Sequence, residues 1–236
     1  SYDENSVYIN GIEIYRPQLI SNGQQEGLSI INPDLVGSVK FSTGGFAAEY
    51  GDKMSSVLDI AYREPEAFEA SAALSLQGGS LSVGQSSKKF SQLHGFRFKR
   101  NSGLLGSLES KGEYDPKYFD YQTFINFAPN KKWKISFLGN IAINNYRFTP
   151  ESRETSFGTS SDAKSFKVYF DGFEKDRFET FFGALSLGFN PNENHSFSLL
   201  ASGYQTNELV SYDIHGEYWL DQAGGTDGSG ATVGGE

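Results

Sequence analysis

The sequence predicts a mainly β protein in which long antiparallel strands follow a smaller mixed segment. Aromatic residues make up 15% of the chain, with 20 Phe and 13 Tyr beside 27 Gly, and this composition favours strands over helices. From residue 66 onward, apolar side chains recur at every second position, which places them on one face of a strand. No apolar run is long enough for a transmembrane helix, but a transmembrane strand needs only about 9–11 residues that are alternately apolar.

The first 65 residues predict short elements separated by turns. Residues 7–15 predict a strand that bends at Asn10-Gly11, and residues 16–27 hold Pro and Gly among polar residues and predict a loop. The Asn-Pro-Asp sequence at 32–34 is a helix-start or turn signal. Short apolar runs at 39–41 and 57–60 predict two further strands around a glycine-rich loop.

The later strands are long and are joined by turns of unequal length. The run at 132–148 has about 17 residues, beyond the usual 3–10 of globular strands. Short turns at 129–132 and 191–195 contrast with predicted long connections at 149–165 and from 209 onward. This asymmetry is typical of outer-membrane barrels. An aromatic-rich soluble sandwich would show the same alternation, so the pattern alone leaves both architectures open.

Aromatic residues bracket both short turns on the apolar face of the strands. Such positions are typical of the aromatic girdle at a membrane interface. The candidate membrane-interface residues are Phe127, Trp133, Phe189 and Phe197. Their surroundings distinguish the two architectures, because a sandwich would bury them in its core and a barrel would turn them towards lipid.

Residues 39–65 carry an ordered set of motifs. A short strand leads to Gly44-Gly45-Phe46-Ala47-Ala48-Glu49-Tyr50-Gly51, and a strand of small residues follows at 55–60. Together with the strand at 7–15 and the Asn-Pro-Asp turn, this set resembles the end of the plug domain of TonB-dependent outer-membrane receptors. The resemblance is closest to the branch common in Bacteroidetes. Asn10 stands where that family usually has Asp.

The resemblance implies a domain organisation. Residues 1–65 would be the C-terminal part of a small α+β plug domain, and residues 66–236 would be the first strands of a transmembrane β-barrel that this chain does not complete. A signal peptide and an energy-coupling box would lie outside the chain. About half a dozen strands cannot close a barrel, and lipid does not tolerate an open sheet edge.

The resemblance also implies a function and partners. The complete protein would take up a scarce nutrient across the bacterial outer membrane, with the plug gating the barrel lumen. The nutrient would be an iron–siderophore complex or something similar, or a glycan or peptide. The partners would be the TonB–ExbB–ExbD energy-coupling system, outer-membrane lipid and the nutrient itself.

Site residues follow from the motif positions. Phe46, Glu49 and Tyr50 would lie in a plug loop that contacts the ligand, although Tyr50 would equally suit packing of the plug against the barrel wall. A second set would supply backbone shape: Gly44, Gly45 and Gly51. A third set would point inward, to line the lumen or contact the plug: Lys134, Asn140 and Asn144.

Several other classes of function lack their residues. There is no Cys, the three His residues are far apart without metal-ligand spacing, and no nucleophile motif or cofactor motif is present, so we expect neither an enzyme nor a cofactor. The net charge of -9 argues against nucleic acid as a partner. The alternative is a soluble β-rich adhesion or carbohydrate-binding module; a glycan-processing enzyme would need a pair of carboxylates, and no candidate pair stands out.

Overall fold

The computed structural model describes residues 5–14, 21–22, 25–26, 29–45, 47, 50, 55–100, 112–159 and 162–222. Within these ranges every element except one 3-10 turn is a strand, which confirms the mainly β antiparallel fold class. The chain divides into two compact units. The first takes residues 1–100, 117–144 and 178–208, and the second takes 101–116, 145–177 and 209–236.

The first unit contains a small four-stranded sheet. Its strands in chain order are β1 (Asn5–Ile9), β2 (Ile12–Glu13), β5 (Val36–Ser42) and β6 (Ser56–Tyr62), arranged β2-β1-β6-β5. β1 and β6 run parallel, and the other pairs are antiparallel. A two-residue pair, β3 (Ser21–Asn22) and β4 (Gln25–Glu26), lies within the predicted loop at 16–27, most of which is outside the described residues.

The turn between β1 and β2 is the one that the sequence predicts. Asn10 and Gly11 both have positive φ, 52° and 76°, as a two-residue hairpin turn of this kind requires. The Asn10 side-chain oxygen accepts a hydrogen bond from the Tyr62 backbone N–H at 2.9 Å, and the Asn10 backbone N–H donates to Ile60 O at 2.8 Å. The turn is therefore fixed to the end of β6.

The Asn-Pro-Asp sequence forms a short 3-10 turn over Pro33–Leu35. Asn32 caps it, because its Oδ1 accepts a hydrogen bond from Asp34 N at 3.1 Å. The turn buries Leu35 completely. The predicted helix start or turn is confirmed. In the folded protein this turn packs the Leu35 side chain against the neighbouring sheet.

The remaining strands form one large nine-stranded sheet, which we call the wall. They are β7 (Glu69–Ser75), β8 (Gly78–Ser86), β9 (Phe90–Arg100), β10 (Gly112–Tyr114), β11 (Lys117–Asn130), β12 (Trp133–Pro150), β13 (Arg153–Thr159), β14 (Asp162–Asn192) and β15 (His195–Gln222). The order is β7-β8-β9-β11-β12-β14-β13, with β10 also paired to β12 and β15 to β14. Tight turns at 76–77 and 87–89 join β7 to β8 and β8 to β9.

Two predicted loops are wrong. The segment 149–165 is largely a hairpin of β13 with the start of β14, in which Arg153 pairs with Val168, and the segment from 209 continues β15 as far as Gln222. β13 lacks the apolar alternation, and its pairing rests on backbone hydrogen bonds, which need no apolar face. The end of β15 keeps the alternation, with Val210, Tyr212 and Ile214 at every second position, so the sequence carries a strand signal there that the prediction missed.

The two faces of the large sheet differ in chemistry. The inner face is the one that packs on the small sheet, and within the first unit its Leu93, Phe124, Leu138 and Phe182 share a core with small-sheet residues such as Ile9. Much of the rest of this face is polar and buried: Asp120, Gln122, Asn126, Asn140 and Asn144. The outer face carries large apolar side chains that are 38–50% exposed: Phe96, Phe98, Phe119, Phe127, Trp133, Phe137, Ile141, Phe181 and Leu185.

Gly95 of β9 allows a close approach of the 3-10 turn to the large sheet. A Cβ atom at this position would lie 2.6 Å from Asn32 Nδ2 and 3.0 Å from Leu35 Cδ1. Gly95→Val is therefore expected to push the 3-10 turn away from the wall and to lower the free energy of unfolding by about 1–3 kcal/mol, measured by denaturant titration. Gly183→Val is the matched control, since only Phe137, at 3.8 Å, stands near its Cβ position. Equal stability of the two variants would contradict the close contact.

Candidate functional site

A buried ion pair on the inner face lies where the small sheet meets the wall. Arg97 of β9 and Asp120 of β11 are opposite each other in register. Arg97 Nε donates to Asp120 Oδ1 at 2.7 Å and Nη2 donates to Oδ2 at 2.6 Å, with side-chain exposures of 12% and 0%. This bidentate geometry compensates the desolvation of both charges and fixes the plane of the guanidinium.

The same side chains hold the backbone that precedes the 3-10 turn. Arg97 donates to Ile31 O at 2.9 Å and to Ser29 O at 3.0 Å. Gln122 Nε2 donates to Ile30 O and, at 2.8 Å, to Asp120 Oδ2. Three consecutive carbonyls of this segment therefore find their donors on the large sheet. We call the group of Arg97, Asp120 and Gln122 the anchor.

Tyr62 at the end of β6 joins the small sheet to the anchor. Its hydroxyl donates to Gln122 Oε1 at 2.6 Å, and its ring meets Phe124 edge-on with centroids 6.3 Å apart. Burial raises the pKa of Tyr62 well above its ordinary value, against a smaller opposing effect of the Arg97 charge. The phenol is therefore a stable hydrogen-bond donor at neutral pH.

Arg63 extends the attachment to the neighbouring strands. Its Nε donates to Asp34 O at 3.0 Å and its Nη2 to Ser82 Oγ of β8 at 3.2 Å, and it also pairs with Glu69. The backbone N–H of Arg63 donates to Leu35 O at 2.9 Å. The 3-10 turn is thus held from β6, β8, β9 and β11.

A cavity of about 480 Å³ lies beside Tyr62 and Phe124. Asn10 and Ala61 of the small sheet and Ser136 and Ser186 of β12 and β14 also line it. Glu64 borders the cavity and reaches Lys134 Nζ at 3.2 Å, with both side chains more than half exposed. An exposed pair of this kind contributes about 0–1 kcal/mol. Buried ionic contacts and loose packing therefore occur close together where the small sheet meets the wall.

Three inner-face side chains further along β12 and β14 are buried without a partner. Asn140, Asn144 and Thr180 are 4%, 1% and 0% exposed, and the amide atoms of both Asn residues and the Thr180 hydroxyl have no hydrogen-bond partner. Such groups cost free energy unless water or a ligand satisfies them. The sequence-based expectation that Asn140 and Asn144 point inward agrees with this placement.

The predicted plug-loop residues are only partly described. Phe46, Glu49 and Gly51 lie outside the described residues. Tyr50 donates its hydroxyl to Asp59 Oδ2 of β6 at 2.9 Å and meets the Tyr8 ring edge-on at 5.0 Å, so it packs on the small sheet. A ligand-contacting role for these residues stays a prediction.

Gly44 and Gly45 have φ of 143° and 62°, which other residues rarely adopt. No heavy atom lies within 4 Å of the Cβ position of either glycine. Backbone conformation is therefore the constraint at both sites, and the predicted shape role of the glycine set stays a prediction.

The four predicted interface aromatics lie together along the turn end of the outer face. Trp133 and Phe189 stack with centroids 4.3 Å apart, and Phe189 and Phe197 are 6.5 Å apart. Phe127 pairs in register with Phe90 of β9. We call these five side chains the aromatic row; Phe90, Phe127, Trp133 and Phe197 are 38–58% exposed.

Sequence reasoning missed Phe90 and the anchor. The signal for Phe90 was present, because it follows the short turn at 87–89 just as Trp133 and Phe197 follow theirs. The anchor left no such signal, because Arg97, Asp120 and Gln122 look like ordinary polar positions of an alternating strand. Only the strand register brings them together.

The residues that the structure describes contain no group of three His, Cys, Asp or Glu that could hold a metal ion. They also contain no helix that is both long enough and apolar enough to span a membrane.

Comparison with known proteins gives a structural likeness only. No protein-family model and no curated protein matches the sequence. Two structures of mutants of PfeA, the ferric enterobactin receptor of Pseudomonas aeruginosa, resemble the chain with TM-scores of 0.42 and 0.41 and identities of 10% and 8%. The alignments cover 88% and 92% of this chain but 41% of each receptor chain, so this chain spans less than half of their length. At these values the likeness does not establish a family.

The anchor predicts a large effect of a small change at Asp120. Asp120→Asn leaves the Arg97 charge buried without its carboxylate, and we expect a loss of about 3–5 kcal/mol in the free energy of unfolding. Glu64→Gln is the control, because it removes a carboxylate from an exposed pair and should cost less than about 1 kcal/mol. Denaturant titration measures both, and amide exchange at residues 29–35 should quicken only in Asp120→Asn. Unchanged exchange there would contradict the anchoring role.

The burial of Tyr62 predicts that the free energy of unfolding decreases at alkaline pH. The folded state keeps the phenol proton, whereas the unfolded chain loses it above about pH 10, so this contribution is complete below that pH and declines as the pH rises. The free energy of unfolding should fall by about 1.4 kcal/mol per pH unit more steeply in wild type than in Tyr62→Phe. Tyr212→Phe, which changes a side chain that is 75% exposed, should keep the wild-type slope. Parallel slopes for all three proteins would refute the effect.

Proposed function

We propose that this chain is part of a TonB-dependent outer-membrane receptor, with residues 1–65 as the second part of the plug and residues 66–236 as the first barrel strands. The observation that carries the proposal is the reversed polarity of the wall. A soluble sandwich packs its apolar faces together, but here the large sheet turns large apolar side chains outward and polar ones towards the small sheet.

The aromatic row supports a membrane position for this wall. It lies beside three short turns at one end of the sheet, which join β8 to β9, β11 to β12 and β14 to β15, where a lipid interface would place amphipathic rings. The exposure of these rings does not fit the buried core that a soluble adhesion or carbohydrate-binding module would need. The turn end of the wall is, in this proposal, the periplasmic end.

The proposed activity is uptake of a scarce nutrient, driven by the TonB–ExbB–ExbD system, with an iron–siderophore complex as the first candidate and a glycan or peptide as alternatives. The support is the resemblance of residues 7–60 to the plug together with the position of the small sheet on the inner face. The Gly-Gly-Phe-Ala-Ala-Glu-Tyr-Gly loop is the feature that favours the Bacteroidetes branch.

The uneven attachment of the small sheet fits a gated plug. The anchor holds the segment at 29–31 through a buried ion pair, Arg63 adds partly exposed contacts, and a cavity bordered by Glu64 lies next to Tyr62. A plug must keep its position at rest and still move under force. A few strong ionic contacts beside loosely packed space meet both conditions.

A charge on the outer face tests the membrane assignment. Ile141 is 39% exposed in the middle of β12, and in lipid an Arg there costs about 2–4 kcal/mol, whereas in water it costs little. We expect the full-length protein to give a heat-modifiable band in the outer-membrane fraction, and Ile141→Arg to reduce that band strongly. Asn190→Arg, at the exposed turn end of β14, is the control and should leave the band unchanged.

Equal amounts of soluble, cooperatively folding protein for wild type and Ile141→Arg would overturn the proposal. That result would support the soluble adhesion or carbohydrate-binding module.

A further inference from the structure

The outer face of the large sheet contains a groove where three neighbouring strands each lack a side chain. Gly139 of β12, Gly183 of β14 and Gly203 of β15 line it, and the rings of Phe137 and Phe181 border it. The groove has a volume of about 650 Å³. Elsewhere this face carries bulky apolar residues, so the groove is a local gap in an otherwise continuous apolar surface.

The gap is open at two of the three glycines. At Gly203 no heavy atom lies within 4 Å of the Cβ position, and at Gly183 the nearest is Phe137 Cε2 at 3.8 Å. Gly139 is tighter, with Phe137 Cε1 at 3.0 Å and Thr123 Cγ2 at 3.2 Å. Neither a positive φ nor a close contact requires glycine at 183 or 203.

A buried hydroxyl beside the groove lacks a partner. Thr123 of β11 lines the groove and is 7% exposed, and its Oγ1 has no hydrogen-bond partner. The neighbouring Tyr121 hydroxyl, by contrast, is within 2.9 Å of His94 Nδ1. A buried hydroxyl without a partner is unfavourable, so an occupant that brings an oxygen to Thr123 would gain from this position.

The lining limits the chemistry of the occupant. No charged side chain borders the groove, so the groove provides no ionic contact for a phosphate or ammonium headgroup. Gly139 lies six residues along β12 from Trp133 of the aromatic row, roughly 20 Å along the strand at about 3.3 Å per residue. This position is within the apolar belt, about 25 Å tall, that surrounds a membrane barrel.

We propose that the groove binds one acyl chain of an outer-membrane lipid, with a hydroxyl or ester oxygen of that chain facing Thr123. The inference rests on the proposed membrane function. Its evidence is separate: the open glycines, the uncharged aromatic lining and the unpartnered hydroxyl. The bound chain would bridge β12, β14 and β15, and it would exchange more slowly than the lipid around the rest of the wall.

The test is lipid retention by the full-length protein from outer membranes. After extensive washing in mild detergent, mass spectrometry of the intact complex counts the phospholipid or lipopolysaccharide molecules that stay bound. We expect one retained lipid per wild-type chain. Gly203→Leu fills the groove and should lower occupancy roughly tenfold, because displacing even two methylene groups of the chain is enough for that loss. Thr123→Val should lower it several-fold.

Ala201→Leu is the matched control. Ala201 lies two residues away on the same strand and outside the groove, so this variant introduces the same leucine side chain while the groove stays open. Wild-type retention in Gly203→Leu, or equal losses in Gly203→Leu and Ala201→Leu, would overturn the proposal. The proposal would also be overturned if the wild-type protein gives a heat-modifiable band in the outer membrane but retains no lipid, or retains a bound protein in place of a lipid. Failure to enter the membrane at all would refute the proposed function as well.

Discussion

The buried pair of Arg97 and Asp120 is the interaction on which the rest of the structure depends. A guanidinium and a carboxylate taken out of water must satisfy each other and their remaining hydrogen-bonding positions. Here the remaining Arg97 donors meet the carbonyls of Ser29 and Ile31, and Gln122 meets the carbonyl between them. The contacts on the small-sheet side are therefore made by backbone carbonyls, which a side-chain substitution in residues 29–31 would not remove. The position of the small sheet also depends on the register of β9 with β11.

This constraint explains the polarity of the wall. A sheet that must hold a polar segment cannot also offer a wholly apolar inner face, so its inner positions alternate between core residues such as Phe124 and hydrogen-bonding residues such as Gln122 and Asn126. The large apolar side chains then remain on the other face, where they are exposed. In the proposed membrane setting lipid would be the solvent for this face, and the anchor, the aromatic row and the glycine groove are consistent with that arrangement.

The sequence predicted the elements whose signals are local. The turn at Asn10 and Gly11, the Asn32-capped turn and the aromatic side chains beside short turns all depend on residues within a few positions of one another. Prediction was wrong at β13, which lacks the alternation and is maintained by backbone hydrogen bonds. It was also wrong at the end of β15, although the alternation of Val210, Tyr212 and Ile214 continues there. Phe90 was within reach of the same turn argument and was missed.

The sequence by itself determined the fold class, the alternating faces and the candidate plug motif, because the two-residue period and turn chemistry are encoded in neighbouring residues. Tertiary structure alone decided which polar residues meet. Arg97 and Ile31 are far apart along the chain, as are Tyr62 and Gln122, and the three groove glycines come from three different strands. These contacts depend on strand register and on how the two sheets pack together. A periodic sequence pattern specifies neither of them.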